Sequence, residues 1–110
     1  MDRTLSLRLS NTPARPDVAR HLVMALAVGT GMRPLSADRA GAAVARALAV
    51  CTAPKVEIEA LLKAGSVVLT ICAGDAGWSR TAAAALAHLD AAVSDGCVTL
   101  GLERTPLTSV

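Results

Sequence analysis

The sequence predicts an α+β domain of two layers, a mixed or antiparallel sheet with its helices gathered on one face. Three observations predict it. Some short stretches alternate apolar with polar residues, two longer stretches carry apolar residues at helical spacing, and glycine, proline or Asx turns separate them. The strands come in clusters instead of alternating one for one with helices, which is the α+β pattern. At 110 residues the chain is long enough for one such core and too short for two. A single domain is therefore expected over 1–110, with its folded core at 5–104.

Thr4–Ser10 opens the chain as a half-buried strand, with Leu5, Leu7 and Leu9 set against Ser6, Arg8 and Ser10. It ends in the turn Asn11-Thr12-Pro13. From about Arg15 to Gly29, Val18, Leu22, Ala25 and Leu26 recur at helical spacing, with Val23 one residue off that stripe. Pro16 and Asp17 sit in the first turn, where proline and acid are favoured, and Gly29 and Gly31 stop the helix. Ser36 is the expected N-cap of a second helix, Ala37–Cys51, whose apolar side holds Ala43, Val44, Ala47, Leu48 and Cys51 until Pro54 forbids continuation. Its many alanines make it slim and able to pack closely.

Val56, Ile58, Ala60 and Leu62 then alternate with Lys55, Glu57, Glu59 and Leu61, a strand with one charged face. A turn at Ala64-Gly65 leads into Ser66–Ala73, which is more fully apolar and hence a more central antiparallel partner. Ser79–Asp90 reads as a short alanine-rich helix, Ala91–Ser94 as a short strand and Asp95-Gly96 as a turn. Cys97–Glu103 is the last strand before a polar tail.

Composition excludes several classes of function. No apolar stretch approaches the ~20 residues of a bilayer span, and Met1–Leu9 lacks the apolar core of a signal peptide, so a cytoplasmic protein with no membrane role is expected. The net charge of +2 comes without a basic run, and Phe and Tyr are absent, which argues against nucleic-acid binding. Cys51, Cys72 and Cys97 are odd in number, widely spaced and set among apolar neighbours. That setting fits reduced, buried thiols better than a disulfide frame or a zinc site. No metal ligand set is expected.

The residues most suggestive of a ligand are Gly74-Asp75-Ala76-Gly77-Trp78-Ser79, directly after the apolar run that ends at Ala73. Four segments in this order resemble the histidine-kinase-like ATPase domain (the Bergerat or GHKL fold), in its small anti-sigma-factor, serine-protein-kinase branch. Ser6-Leu7-Arg8-Leu9 followed by Arg15–Val23 is similar to the first strand and the arginine-bearing first helix. Gly31-Met32-Arg33-Pro34-Leu35 before Ser36–Cys51 is similar to the loop into the helix with the catalytic motif. Val67–Gly77 resembles the strand and Asp-x-Gly turn that read adenine, and Leu86–Asp90 through Gly96–Leu100 the closing helix, turn and strand. The likeness runs from Leu5 to about Arg104.

The resemblance implies nucleotide-binding roles for Asp75, which would accept from adenine's exocyclic amine, and Gly77, which would let the base approach the backbone. It also implies a catalytic glutamate and, one turn later, a magnesium-holding asparagine on the second helix. Those positions hold Arg46 and Val50. Arginine cannot act as a base at neutral pH, and valine offers no oxygen to a hard cation. The glycine-rich lid is short or missing, since Trp78 runs almost directly into Arg80–Ala85. A pseudo-kinase with no catalytic residue and no cofactor is expected, the alternative being ATP with magnesium on a different register.

Asp75 keeps a second reading, as part of a turn that ends a central strand. Trp78, the only aromatic residue, is expected to fill the vacated purine pocket in preference to anchoring a partner. An ion pair between Arg46 and Asp75 would close that pocket from inside. His21 and His88 are expected to face solvent or cap helices, and Ser66 and Ser79 lack a base in sequence. Arg15, Arg20 and Arg33 are the candidate protein-interface residues, because the resemblance implies that the first helix and the following loop meet a sigma factor, its antagonist or a second copy of the chain. The leading function is a catalytically degenerate, anti-sigma-factor-like binding protein that can form a homodimer. An active ATP-dependent serine-protein kinase and an α+β domain with an unrelated partner are the other two.

Overall fold

A computed structural model describes residues 3–104, so the polar tail expected after Glu103 lies, beyond Arg104, outside the described residues. The elements are β1 (Arg3–Ser10), α1 (Arg15–Gly29), α2 (Pro34–Ala49), β2 (Lys55–Lys63), β3 (Ser66–Cys72), α3 (Ala76–Ala85), a 3-10 turn (Ala87–Leu89), β4 (Ala92–Ser94) and β5 (Cys97–Glu103). The strands form one five-stranded sheet in the order β1-β2-β3-β5-β4. Every pairing is antiparallel, which resolves the expectation of a mixed or antiparallel sheet.

Period-two alternation divides the sheet into two faces. Val56, Ile58 and Ala60 of β2, Val67, Leu69 and Ile71 of β3, and Val98, Leu100 and Leu102 of β5 are buried on the helix side. Leu5, Leu7 and Leu9 stand opposite Ala60, Ile58 and Val56, so β1 continues this apolar face at the edge of the sheet. Among the described residues the other face carries no helix. Its residues include Arg8, which pairs with Glu57 at 2.9 Å, and the opposed Thr70 and Thr99.

α1 has the expected span, but its buried stripe is different. Arg15, Ala19, Val23 and Ala27 face inward, whereas Val18 is 44% exposed and Ala25 is also exposed. Ala19 and Ala27 are small enough to let α1 lie close to its neighbours, and burial follows that close approach more than side-chain size. α2 crosses α1 at Gly41, where an added Cβ would come within 2.7 Å of the Met24 Cγ and 2.9 Å of the Arg20 carbonyl oxygen.

Two helix starts differ from expectation. α2 begins at Pro34 with Arg33 as N-cap, so Ser36 lies inside the first turn. Proline at the first helical position presets φ and loses no hydrogen bond, which favours the earlier start. α2 also ends at Ala49, short of Cys51. The third helix runs Ala76–Ala85 in place of 79–90, because the Asp75 side chain caps it. The remainder of that stretch tightens into the 3-10 turn and closes at Asp90, whose φ of 52° is left-handed.

The cysteine expectation holds for one residue of three. Cys51 is buried and free, but Cys72 and Cys97 are joined in a disulfide. They stand directly opposite each other where β3 ends and β5 begins. The pairing register places the two sulfurs together, on the face that carries no helix.

Candidate functional site

The site forms around the end of α2. A helix leaves the carbonyls of its last turn without partners inside the helix, and this one runs into the loop 50–54, which needs partners of its own. Two long side chains from other helices supply them. The Trp78 Nε1 of α3 donates to the Ala47 carbonyl at 2.8 Å. The Arg15 guanidinium of α1 donates through Nη1 to the Ala53 carbonyl at 2.7 Å and through Nη2 to the Cys51 carbonyl at 2.8 Å.

Arg15 is only 2% exposed. It was expected at a protein interface, and instead it is an internal brace. Its charge lies against carbonyl oxygens just past the C-terminus of α2, the negative end of that helix's dipole, so it is solvated by the protein itself. The signal in the sequence is its place at the head of the 15/19/23/27 stripe, which continues through Ala19, Val23 and Ala27.

Asp75 is exposed, and its Oδ1 accepts from the backbone N–H of Gly77 at 2.9 Å and of Trp78 at 3.2 Å. These two bonds satisfy free donors at the start of α3. They also aim Trp78 inward, where the residue is 6% exposed and packs beside α2. A Cβ at Gly77 would approach the Asp75 Oδ1 to 3.2 Å, a tight contact that glycine avoids. The turn is braced from behind by the β4–β5 turn. Ala73 N and Gly74 N both donate to the Gly96 carbonyl, at 2.9 and 3.3 Å. Gly96 has φ +76° and leaves room for a Cβ only 3.0 Å from Gly74.

Val50, Thr52, Asp75, Gly77, Trp78 and Thr81 line one open depression of about 290 Å³. The structure thus brings Val50 beside Asp75 and Gly77, neighbours on one turn from which it is distant in sequence. Arg46 lies one turn earlier on α2, exposed and outside that lining, and among the described residues no ion pair joins it to Asp75. The depression offers a carboxylate already engaged in capping, and two threonines, of which Thr81 donates to the Gly77 carbonyl at 3.2 Å. Such a set can hydrogen-bond a ligand, but it pairs no nucleophile with a base.

The remaining candidates lie apart. Arg20 crosses from α1 to pair with Asp38 of α2 at 2.9 Å. Arg33 is exposed at the N-cap position of α2, at the opposite end of α1 from Arg15. His21 and His88 are exposed, and the His21 Nδ1 donates to the Asp17 carbonyl at 2.8 Å. Ser79 is 1% exposed and donates to the Ala76 carbonyl, a bond within its own helix. Among the described residues no group of His, Cys, Asp and Glu is arranged to hold a metal ion, and no helix is long and apolar enough to cross a membrane. No protein-family model matches the chain, and no curated protein matches it.

Proposed function

We propose that this chain is a catalytically silent regulatory binding protein on a Bergerat-type frame, acting by holding a sigma factor or the antagonist of one. One observation carries the reading. Val50, the position where the resemblance implies a magnesium-holding asparagine, lies in the same depression as Asp75 and Gly77, where it implies adenine recognition. The placing of Val50 beside the Asp75–Gly77 turn supports the register of α2 on which the resemblance depends. The element order supports it as well, with two helices between the first two strands and a third between the central and last strands.

The chemistry at these positions favours a silent protein over a kinase. A valine side chain has no oxygen for a hard cation, an arginine at position 46 is no base, and the Oδ1 of Asp75 is engaged as a helix cap. The indole of Trp78 is buried beside α2, its Nε1 donating to the Ala47 carbonyl. Arg20 and Arg33 remain the arginines of this reading that reach the surface, with Arg15 turned inward. Leu5 and Leu7, 50% and 38% exposed on the edge strand, support the homodimer that belongs to the same reading.

The test is binding of the purified chain to purified sigma factors and sigma-factor antagonists from its own genome, by surface capture and calorimetry. Saturable binding that is unchanged by Mg-ATP and unchanged by Asp75→Asn is expected. Failure to bind any of them, or binding that requires nucleotide, would overturn the reading.

A further inference from the structure

We propose that Cys72 and Cys97 form a reversible thiol–disulfide site, open to small thiols from the helix-free face of the sheet, whose state sets the order of the Asp75 turn and the start of α3. This property belongs to the sheet and goes beyond any partner the chain holds. Three observations carry it: where the pair sits, what can reach it, and what it fastens.

Both cysteines are partly exposed, unlike Cys51, which is buried on the helix side. Their strand neighbours on the same face are Thr70 and Thr99, and Cys72 stands opposite Glu57 of β2. Cys72 also lines a depression of about 180 Å³ together with Ser6, Arg8, Glu57 and Thr70, among others. A small thiol therefore has a polar, water-facing approach to the Cys72 sulfur, and exchange at a disulfide depends on such access.

The bond fastens two turns that act as one unit. Cys72 is followed by Ala73 and Gly74, whose N–H groups both donate to the carbonyl of Gly96, the residue before Cys97. Asp75 comes next, with its side chain capping α3 through Gly77 and Trp78. Opening the bond removes the covalent tie at the base of this unit and leaves the two turns joined by backbone hydrogen bonds alone. Local opening is easiest where a segment buries little of its own surface, and Gly74, Asp75, Ala76 and Gly77 are all exposed.

The exchange balances with a monothiol of the glutathione class. Its thiolate attacks the Cys72 sulfur, the bond to the Cys97 sulfur breaks, and Cys97 leaves as a thiolate that takes up a proton. A second thiol attacks the mixed disulfide at the sulfur of the small thiol. Cys72 is released as a thiol and the oxidised dimer of the small thiol departs. Two electrons have passed from the two small thiols to the protein.

The experiment equilibrates the folded Cys51→Ala protein, in which only this pair can react, with mixtures of reduced and oxidised glutathione. Thiols are trapped by alkylation and counted by mass spectrometry, and amide hydrogen exchange is followed on both end states. Expected are two new thiols in the folded protein under reducing mixtures and the disulfide again under oxidising ones. On reduction the amides of Ala73, Gly74, Gly77 and Trp78 should exchange about tenfold faster or more, with the β1–β2 ladder unaltered. A Cys72→Ser/Cys97→Ser variant should show that faster exchange in every mixture. The proposal is overturned if the bond opens only in denaturant, if it never forms in oxidised glutathione, or if reduction leaves those four amides unchanged.

Discussion

The Trp78 indole Nε1 donates to the Ala47 carbonyl at 2.8 Å, joining the first turn of α3 to the last turn of α2. The bond gives a partner to a carbonyl that the end of α2 leaves free, and it holds the ring inside the fold. Trp78→Phe should keep most of the packing and strand that carbonyl, at a cost of about 1–3 kcal/mol. Trp78→Ala should cost about 3–5 kcal/mol because a cavity follows. Chemical denaturation of the two variants measures both, and a neutral Trp78→Ala would mean that the ring supports nothing.

Arg15 is the second brace of the same region. Arg15→Met replaces it with an apolar chain of similar length and leaves the carbonyls of Cys51 and Ala53 without donors. Two charge-assisted bonds are lost, so destabilisation of about 3 kcal/mol is expected. Arg15→Lys should recover part of this, since one ammonium cannot copy the two-pronged geometry. Unfolding midpoints measure the order Arg, Lys, Met. If Arg15→Met instead left stability unchanged and abolished partner binding, Arg15 would be an interface residue after all.

Gly41 sets the distance between α1 and α2. Alanine is ordinarily the better helix former by about 1 kcal/mol. Here the new methyl meets the Arg20 carbonyl oxygen at 2.9 Å, and backbone cannot swing aside as a side chain can. Gly41→Ala should therefore destabilise by about 1–3 kcal/mol, the sign opposite to helix propensity. A rise in melting temperature would show that the helices separate at little cost.

Asp75 should behave as a cap. Asp75→Ala is expected to lose about 1 kcal/mol, and Asp75→Asn almost nothing, because the amide oxygen accepts the same two N–H groups. Unfolding by far-UV circular dichroism distinguishes them. Equal losses in the two variants would mean that the carboxylate charge, not capping, is what matters at this position.

Much of the fold was legible because period and punctuation are local. β1, α1, β2, the Ala64-Gly65 turn, β3 and β5 fall within a residue or so of where alternation and breakers set them. What escaped depends on contacts between elements. The inward turn of Arg15 follows from carbonyls left free some forty residues away in sequence, at Cys51 and Ala53. The Cys72–Cys97 pair depends on strand register, and an odd cysteine count with wide spacing gives no hint of it. The early start of α3 was in principle readable, since Asp75 three residues before Trp78 is a capping pattern, but Gly77 disguised it as a turn. Of the residues lining the depression, Asp75 and Gly77 were singled out on their turn and Val50 only through the resemblance. The link between Arg46 and Asp75 was not there to find.

The most direct test of the proposal that the protein is catalytically silent is a titration with ATP and with ADP, with and without Mg²⁺. Trp78 fluorescence reports from within the site, and calorimetry checks it. No saturation up to millimolar nucleotide is the expected result. Saturable micromolar binding that is lost in Asp75→Asn would contradict the account and restore a nucleotide-dependent kinase.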